Sequence, residues 1–359
     1  MRILHITNHL QKIGNGIVNV AVDLACLQAK QGHDVAVASA GGEFEELLKR
    51  YGVKHFHLDQ SRTPLKIIQA ARRYLSIIQE FQPDIVHAHM MTGVVLAAVL
   101  RSNSYGLVST VHNEFQRSAI LMGLADRVIA VSSAVAKSMV RRGIPINKLR
   151  LVSNGTLGSP RHRNIKNCKP FPLYRPSIAT VAGIYQRKGI GELIDAFVEI
   201  ANAFPETHLY IVGDGPDRSM FEEKAQNTAF SDRIHFEGFQ PEPQKYMLAC
   251  DIFVLASYCE SFGLVLTEAR EAGCAIVATD VDGIPETLDN RQAGILVPPK
   301  DSHALAEALR KLLSDSSELY KWKHAAIQNV ERFSAARVKE ETLDVYQELL
   351  KECNLINAT

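Results

Sequence analysis

Two hydrophobic spacings alternate along the chain. Short apolar runs mark buried strands, and between them lie longer stretches with apolar residues three and four apart, the spacing of amphipathic helices. Arg2–Thr7 is the first run, and the helix Ile17–Gln31 follows with Val18, Ala21, Val22, Leu24 and Ala25 apolar and Gly32 as its stop. His33–Ala38 is the next strand. A strand, a glycine loop, a helix and a second strand imply a parallel sheet. The pattern continues through a helix at Phe44–Tyr51, a strand at Lys54–Leu58 and a helix at Leu65–Phe81 closed by Pro83. Then come strand Asp84–His89, helix Gly93–Leu100, and strands Leu107–Val111 and Asp126–Val131. Ser132 and Ser133 cap a helix at Ala134–Arg142, and Leu149–Val152 closes the series.

Composition then shifts. Thr156–Pro176 holds Gly158, Pro160, Pro170, Pro172 and Pro176 among basic residues and reads as a linker. A second alternating series begins at Ile178–Ala182 and runs through strands at His208–Val212, Ile234–Phe236, Ile252–Leu255, Ala275–Thr279 and Gly294–Val297. The last helices are His303–Leu313, Glu318–Glu331 and Ala335–Cys353. A chain of 359 residues is long for one core. The expected architecture is α/β, with two doubly wound Rossmann-like domains at 1–165 and 175–335.

The stretch Ser257–Gly273 is the chemical centre of the second series. It joins the apolar run Ile252–Leu255 to a helix, and Ser261 or Glu260 is placed to cap that helix. Uncapped N–H groups and the helix dipole attract anions at such a start. Gly263 lets a ligand approach the backbone. Glu260 stands beside this point, and Glu268 lies eight positions later, about two turns along the expected helix. An anion site flanked by two hydroxyl-accepting carboxylates suits a sugar nucleotide. The plain alternative is two solvated acids flanking a buried helix.

This Glu-x7-Glu pattern, with Phe262-Gly263 inside it and Glu268-Ala269 followed by Gly273, resembles the signature of family 4 retaining glycosyltransferases of the GT-B fold. The resemblance implies two domains facing a cleft, with the final helix, about 336–359, crossing back onto the first. It implies that Glu268 holds the ribose hydroxyls, that Glu260 faces the donor sugar, and that the amides of Phe262, Gly263 and Leu264 hold sugar hydroxyls and diphosphate. It casts Lys188, in Lys188-Gly189, as the cation on the diphosphate. Ile184 stands where the family has an Arg, and Arg187 is the candidate replacement. Gly14 and Gly16 match the family's glycine-rich N-terminal loop, which faces the donor phosphates. Gly238 and Phe239 fall where the family's backbone meets the base. His112, in Thr110-Val-His-Asn-Glu114, matches a histidine near the anomeric carbon. It also ends a strand, where ligands bind in open α/β sheets. His87 and His89 read as core or strand-end residues. Asp280 and Asp282 form an Asp-x-Asp, but the family uses no metal there, so none is expected, nor any separate cofactor.

Charge adds one element. Net charge is +1, yet residues 1–155 carry 18 Lys and Arg against 10 Asp and Glu, and the remainder 22 against 29. The basic excess, including Arg72, Arg73, Arg141, Arg142 and Arg150, suits an anionic surface such as a membrane or a phosphorylated lipid. A merely solvated basic face is the alternative. Aromatics do not interleave these clusters as nucleic-acid binding favours, so nucleic acid is not an expected partner. Six cysteines without a CxxC pair suit reduced thiols in the cytoplasm. The N-terminus reads as a strand and not as a signal peptide, and no apolar run approaches a membrane span.

The expected activity is retaining transfer of a sugar from a nucleoside diphosphate sugar, UDP-glucose by family frequency, to a hydroxyl of a saccharide or lipid-linked acceptor. No carboxylate nucleophile is evident, so front-face attack with the leaving diphosphate taking the acceptor proton is the expected route, with Lys188 and the helix amides stabilising that charge. Rival readings are a sugar-nucleotide epimerase of the same fold and a non-catalytic nucleotide-sugar-binding protein.

Overall fold

The computed structural model describes residues 1–101, 104–161 and 165–357, with 166 and 353–357 described by backbone alone. The chain divides into two compact units, Met1–Arg161 with Phe333–Thr359, and His162–Arg332. The stretch expected to be a linker is therefore mostly part of the second unit, although its residues 162–164 lie outside the described residues.

The first unit carries strands β1 (Arg2–Ile6), β2 (Asp34–Ser39), β3 (Lys54–His57), β4 (Ile85–Ala88), β5 (Gly106–Val111), β6 (Arg127–Ala130) and β7 (Leu149–Leu151). They form one parallel sheet in the order β3-β2-β1-β4-β5-β6-β7. The order reverses between β1 and β4, and ligands bind at such a switch point. The first helix is Gly16–Lys30, capped by Asn15, whose side chain accepts from the Ile17 N–H. As expected, Ser132 caps the helix Ser133–Arg141 by accepting from the Val135 N–H.

The final helix, Ala335–Asn357, belongs to the first unit. The last two positions of its expected span lie outside the described residues. It lies over β5, where a Cβ on Gly106 would meet Leu349 Cδ2 at 2.7 Å. Its Glu348 pairs with Arg127 and Arg150. This corrects the charge reading in one respect: Arg150 is engaged by an acid of its own unit instead of standing on the free basic face.

The second unit carries β8 (Ser177–Val181), β9 (His208–Val212), β10 (Ile234–Gly238), β11 (Ile252–Leu255), β12 (Ala275–Thr279) and β13 (Ile295–Val297), parallel in the order β10-β9-β8-β11-β12-β13. Its unbroken apolar runs follow from burial on both faces. Alternation sends Ile252 and Val254 into a core with the helix Ile190–Ala201, while Phe253 and Leu255 enter a second core with Leu266 and Ala269. Among the described residues no helix is long and apolar enough to cross a membrane.

Candidate active site

In the second unit the expected residues gather at the carboxyl edge of the sheet. The chain leaves β8 into the loop Gly183–Gly189. Gly189 has φ +65°, and a Cβ there would lie 1.9 Å from Ala256 O. Only glycine lets this turn rest on the exit of β11. Lys188 is thereby brought to Glu260, and Nζ donates to Oε2. The two side chains are 14% and 18% exposed, so the pair is largely shielded from water.

Glu260 is itself held in place. Its N–H donates to Asp282 Oδ2 at 3.0 Å, and its carbonyl accepts from the Gly283 N–H at 3.0 Å. Asp280 pairs with Arg291. Of the Asp-x-Asp, Asp282 alone thus braces the Glu260 loop, from a later loop.

The helix starts later than expected. It spans Leu264–Glu271, with Gly263 as N-cap at φ +86° and no side-chain cap. Neither Ser261 nor Glu260 caps it, because the backbone turns left-handed at Gly263, which L side chains adopt at a cost. Leu266 N–H already turns back to Gly263 O at 2.8 Å. The helical pattern offers no acceptor to the N–H groups of Gly263, Leu264 and Val265. The donor set therefore moves one residue along, and Phe262 contributes a ring buried in the unit. Its carbonyl accepts from Thr287 Oγ1 at 2.6 Å. With this start, Glu268 lies one turn into the helix instead of two, and it is partly buried.

Ile184 is fully buried in the core, so its position offers no place for a cation. Arg187 is exposed, with its guanidinium over the Tyr185 ring at 5.8 Å. Gly238 ends β10 at φ +68°, with Arg218 Nη1 3.1 Å from where its Cβ would be, and Phe239 beyond it is 44% exposed. Beneath the site, fully buried Arg270 donates to the carbonyls of Thr287, Ala326 and Gln328 and pairs with Asp289. Nothing in the local pattern around Arg270 points to this clamp.

In the first unit, Gly14 (φ +71°) and Gly16 lie in the loop after β1 and at the start of its helix. His112 follows β5 on the same edge of the sheet. It stands in a run of histidines. His112 Nε2 is 3.2 Å from His89 Nδ1, His89 Nε2 is 3.0 Å from His5 Nδ1, and His5 Nε2 is 2.8 Å from Gln28 Oε1. His87 bonds Tyr346 Oη at 2.5 Å and Thr110 Oγ1 at 2.7 Å. Burial pushes His5 down to about 4 and His112 to about 3, and holds His87 and His89 well below the ordinary value. All four rings are neutral at physiological pH. His87 and His89 are buried, as expected of core residues, but the link from His89 to His112 was not foreseen. The signal was there: His87-Ala-His89 puts two imidazoles on one face of a strand.

A family model described as glycosyl transferases group 1 matches residues 162–329, and one described as glycosyltransferase family 4 matches residues 14–156. The chain belongs to the group 1 glycosyl transferases. This glycosyltransferase is 25% identical over 266 residues to the lipopolysaccharide core biosynthesis glycosyltransferase LpsE of Rhizobium meliloti, covering 74% of this chain and 73% of that protein. It is 22% identical to the N-acetyl-alpha-D-glucosaminyl L-malate synthase of Bacillus anthracis, covering 94% and 95%. Anabaena Alr3699/HepE, solved in complex with UDP-glucose, superposes with a TM-score of 0.83 at 20% identity, over 97% of this chain and all of that one. The fold of this glycosyltransferase is GT-B, α/β with two domains, as expected.

Proposed function

We propose that this glycosyltransferase takes a sugar from a nucleoside diphosphate sugar, UDP-glucose first among candidates, and transfers it with retention to an acceptor hydroxyl. The carrying observation is the shielded Lys188–Glu260 pair beside the glycine-capped start of the helix bearing Glu268. A diphosphate reaching Lys188 and sugar hydroxyls reaching Glu260 replace a bond these side chains make with each other. The amides of Gly263, Leu264 and Val265 and the helix dipole add to the anion's stabilisation. Glu268 orients the ribose, the backbone at Gly238 and Phe239 faces the base, and Gly14 and Gly16 border the phosphates. The developing charge of the leaving group falls on Lys188 and the amides, so no divalent metal is required. Neutral His112 holds a sugar hydroxyl and contributes no positive charge beside an oxocarbenium-like transition state.

The acceptor we propose is a saccharide or lipid-linked saccharide met at the cytoplasmic face of a membrane. The helix Pro64–Phe81 supports this reading, because Leu65, Ile67, Ile68 and Leu75 are exposed on it beside Lys66, Arg72 and Arg73.

A thermal-shift panel of nucleotide sugars, followed by UDP release with and without acceptor extract, tests the proposal. Glu268→Ala should weaken donor binding about 10- to 100-fold, the worth of hydrogen bonds to a charged group. Intact donor binding and transfer in that variant would refute the assignment.

A further inference from the structure

The first unit holds more histidine chemistry than contact with a sugar requires. His5 on β1 and His87 on β4 are register partners, and His89 and His112 follow β4 and β5. His5, His87 and His89 bring ring nitrogens within 4.8 Å of one another, as a three-histidine metal site would. Their hydrogen bonds argue otherwise. Every ring nitrogen of the three already has a partner: Gln28, Tyr346, Thr110, His112 or one another. A metal would have to displace this whole buried set. The arrangement suits proton ordering better.

The order of protons can be counted from the closed end. A neutral imidazole carries one N–H and one lone pair. Gln28 Oε1 has no proton to give, so His5 Nε2 donates to it. His5 Nδ1 is then an acceptor, and His89 Nε2 donates to it. His89 Nδ1 becomes an acceptor in turn, and His112 Nε2 donates to it. The chain ends at His112 Nδ1, which has no hydrogen-bond partner among the described residues and belongs to a half-buried ring.

We propose that Gln28, through His5 and His89, fixes His112 in the Nε2–H tautomer and so presents Nδ1 as a hydrogen-bond acceptor for a hydroxyl of the donor sugar. Gln28, His5 and His89 are positioning residues that act through His112. The sugar part of this proposal rests on the role given to His112 above, while the tautomer part does not. Gln28 is fully buried, and its Nε2 has no hydrogen-bond partner. Turning the amide over would hand a proton to His5 Nε2 and reverse every bond in the chain. The tautomer of His112 is therefore the quantity to read.

Long-range proton–nitrogen NMR of the full-length protein at neutral pH, with isotope-labelled histidine, reads each ring's tautomer directly. His112, His89 and His5 should all carry the proton on Nε2. A proton on His112 Nδ1 overturns the proposal. Gln28→Leu removes the terminal acceptor, and His112 should then populate both tautomers. An unchanged His112 signal in that variant also overturns it. Gln28→Glu restores an acceptor and should restore the single tautomer, which a merely structural role for Gln28 would not do. Should Gln28→Leu fail to fold, the wild-type spectrum alone decides. In the binding arm, Gln28→Leu should weaken UDP-glucose about tenfold, one hydroxyl hydrogen bond, with UDP affinity unchanged. Equal weakening of UDP and UDP-glucose would overturn the sugar contact. If His112→Ala binds UDP-glucose as wild type does, the role given to His112 falls, and a wild-type Nε2–H spectrum still supports the tautomer chain.

Discussion

Replacing Lys188 by Met separates what the Lys188–Glu260 pair does for the fold from what it does for the reaction. The side chains are 14% and 18% exposed. Removing one partner of a fully buried pair costs about 3–5 kcal/mol, and an exposed pair is worth about 0–1. A pair with this residual exposure falls between, so Lys188→Met should cost about 1–3 kcal/mol of stability. Loss of a preorganised group facing developing charge costs about 10²–10³ in turnover. The two losses come apart in a double-mutant cycle with Glu260→Gln. Each single variant leaves one polar partner without its mate. The double variant leaves no unpaired charge and should regain much of the lost stability. Its turnover should stay low, since the diphosphate still lacks its cation. The assays are urea unfolding and UDP release with UDP-glucose and acceptor extract. Full turnover in Lys188→Met, or recovery of turnover in the double variant, would refute the reasoning.

Three further outcomes follow from the same structure. Arg270→Met should cost about 3–5 kcal/mol, since it leaves three buried carbonyls without this donor and Asp289 with Arg332 alone; a loss below about 1 kcal/mol in urea unfolding would contradict the clamp. Gly189→Ala meets Ala256 O and a left-handed backbone, and a shift of Lys188 by about 1 Å should lower turnover about 10²-fold, whereas Gly191→Ala, with only Phe221 at 3.4 Å, should leave turnover unchanged. His5 has its pKa lowered from 6.5 to about 4, so below pH 6.5 the unfolded chain takes up a proton that the folded ring refuses. Stability is then whole above pH 6.5 and falls as pH drops toward 4, by about 3 kcal/mol from His5 alone, and a melting temperature that stays flat across that window would count against the neutral ring.

The alternation of strands and helices was legible because both spacings are local. The run Ile252–Leu255, the stop at Gly32 and the cap at Ser132 each follow from neighbours in the chain. That Glu260 lies in the loop and Glu268 on the helix after β11 was legible for the same reason, since one strand-loop-helix run carries both. The start of that helix was not. Gly263 becomes its cap because the preceding loop is held by Asp282 and Gly283, from a loop more than one element later.

Sequence also marked His112 as the end of a strand and Lys188 as a cation in a glycine-bounded loop. It did not give the partners of either. Lys188 meets Glu260 only because β8 and β11 are neighbours in the sheet, and His112 meets His89 and His5 only because β5, β4 and β1 lie side by side. Local propensity decides which residues form an element and where it stops. The order of parallel strands is decided by crossovers that span the whole unit, and it alone brings residues far apart in the chain within hydrogen-bonding distance.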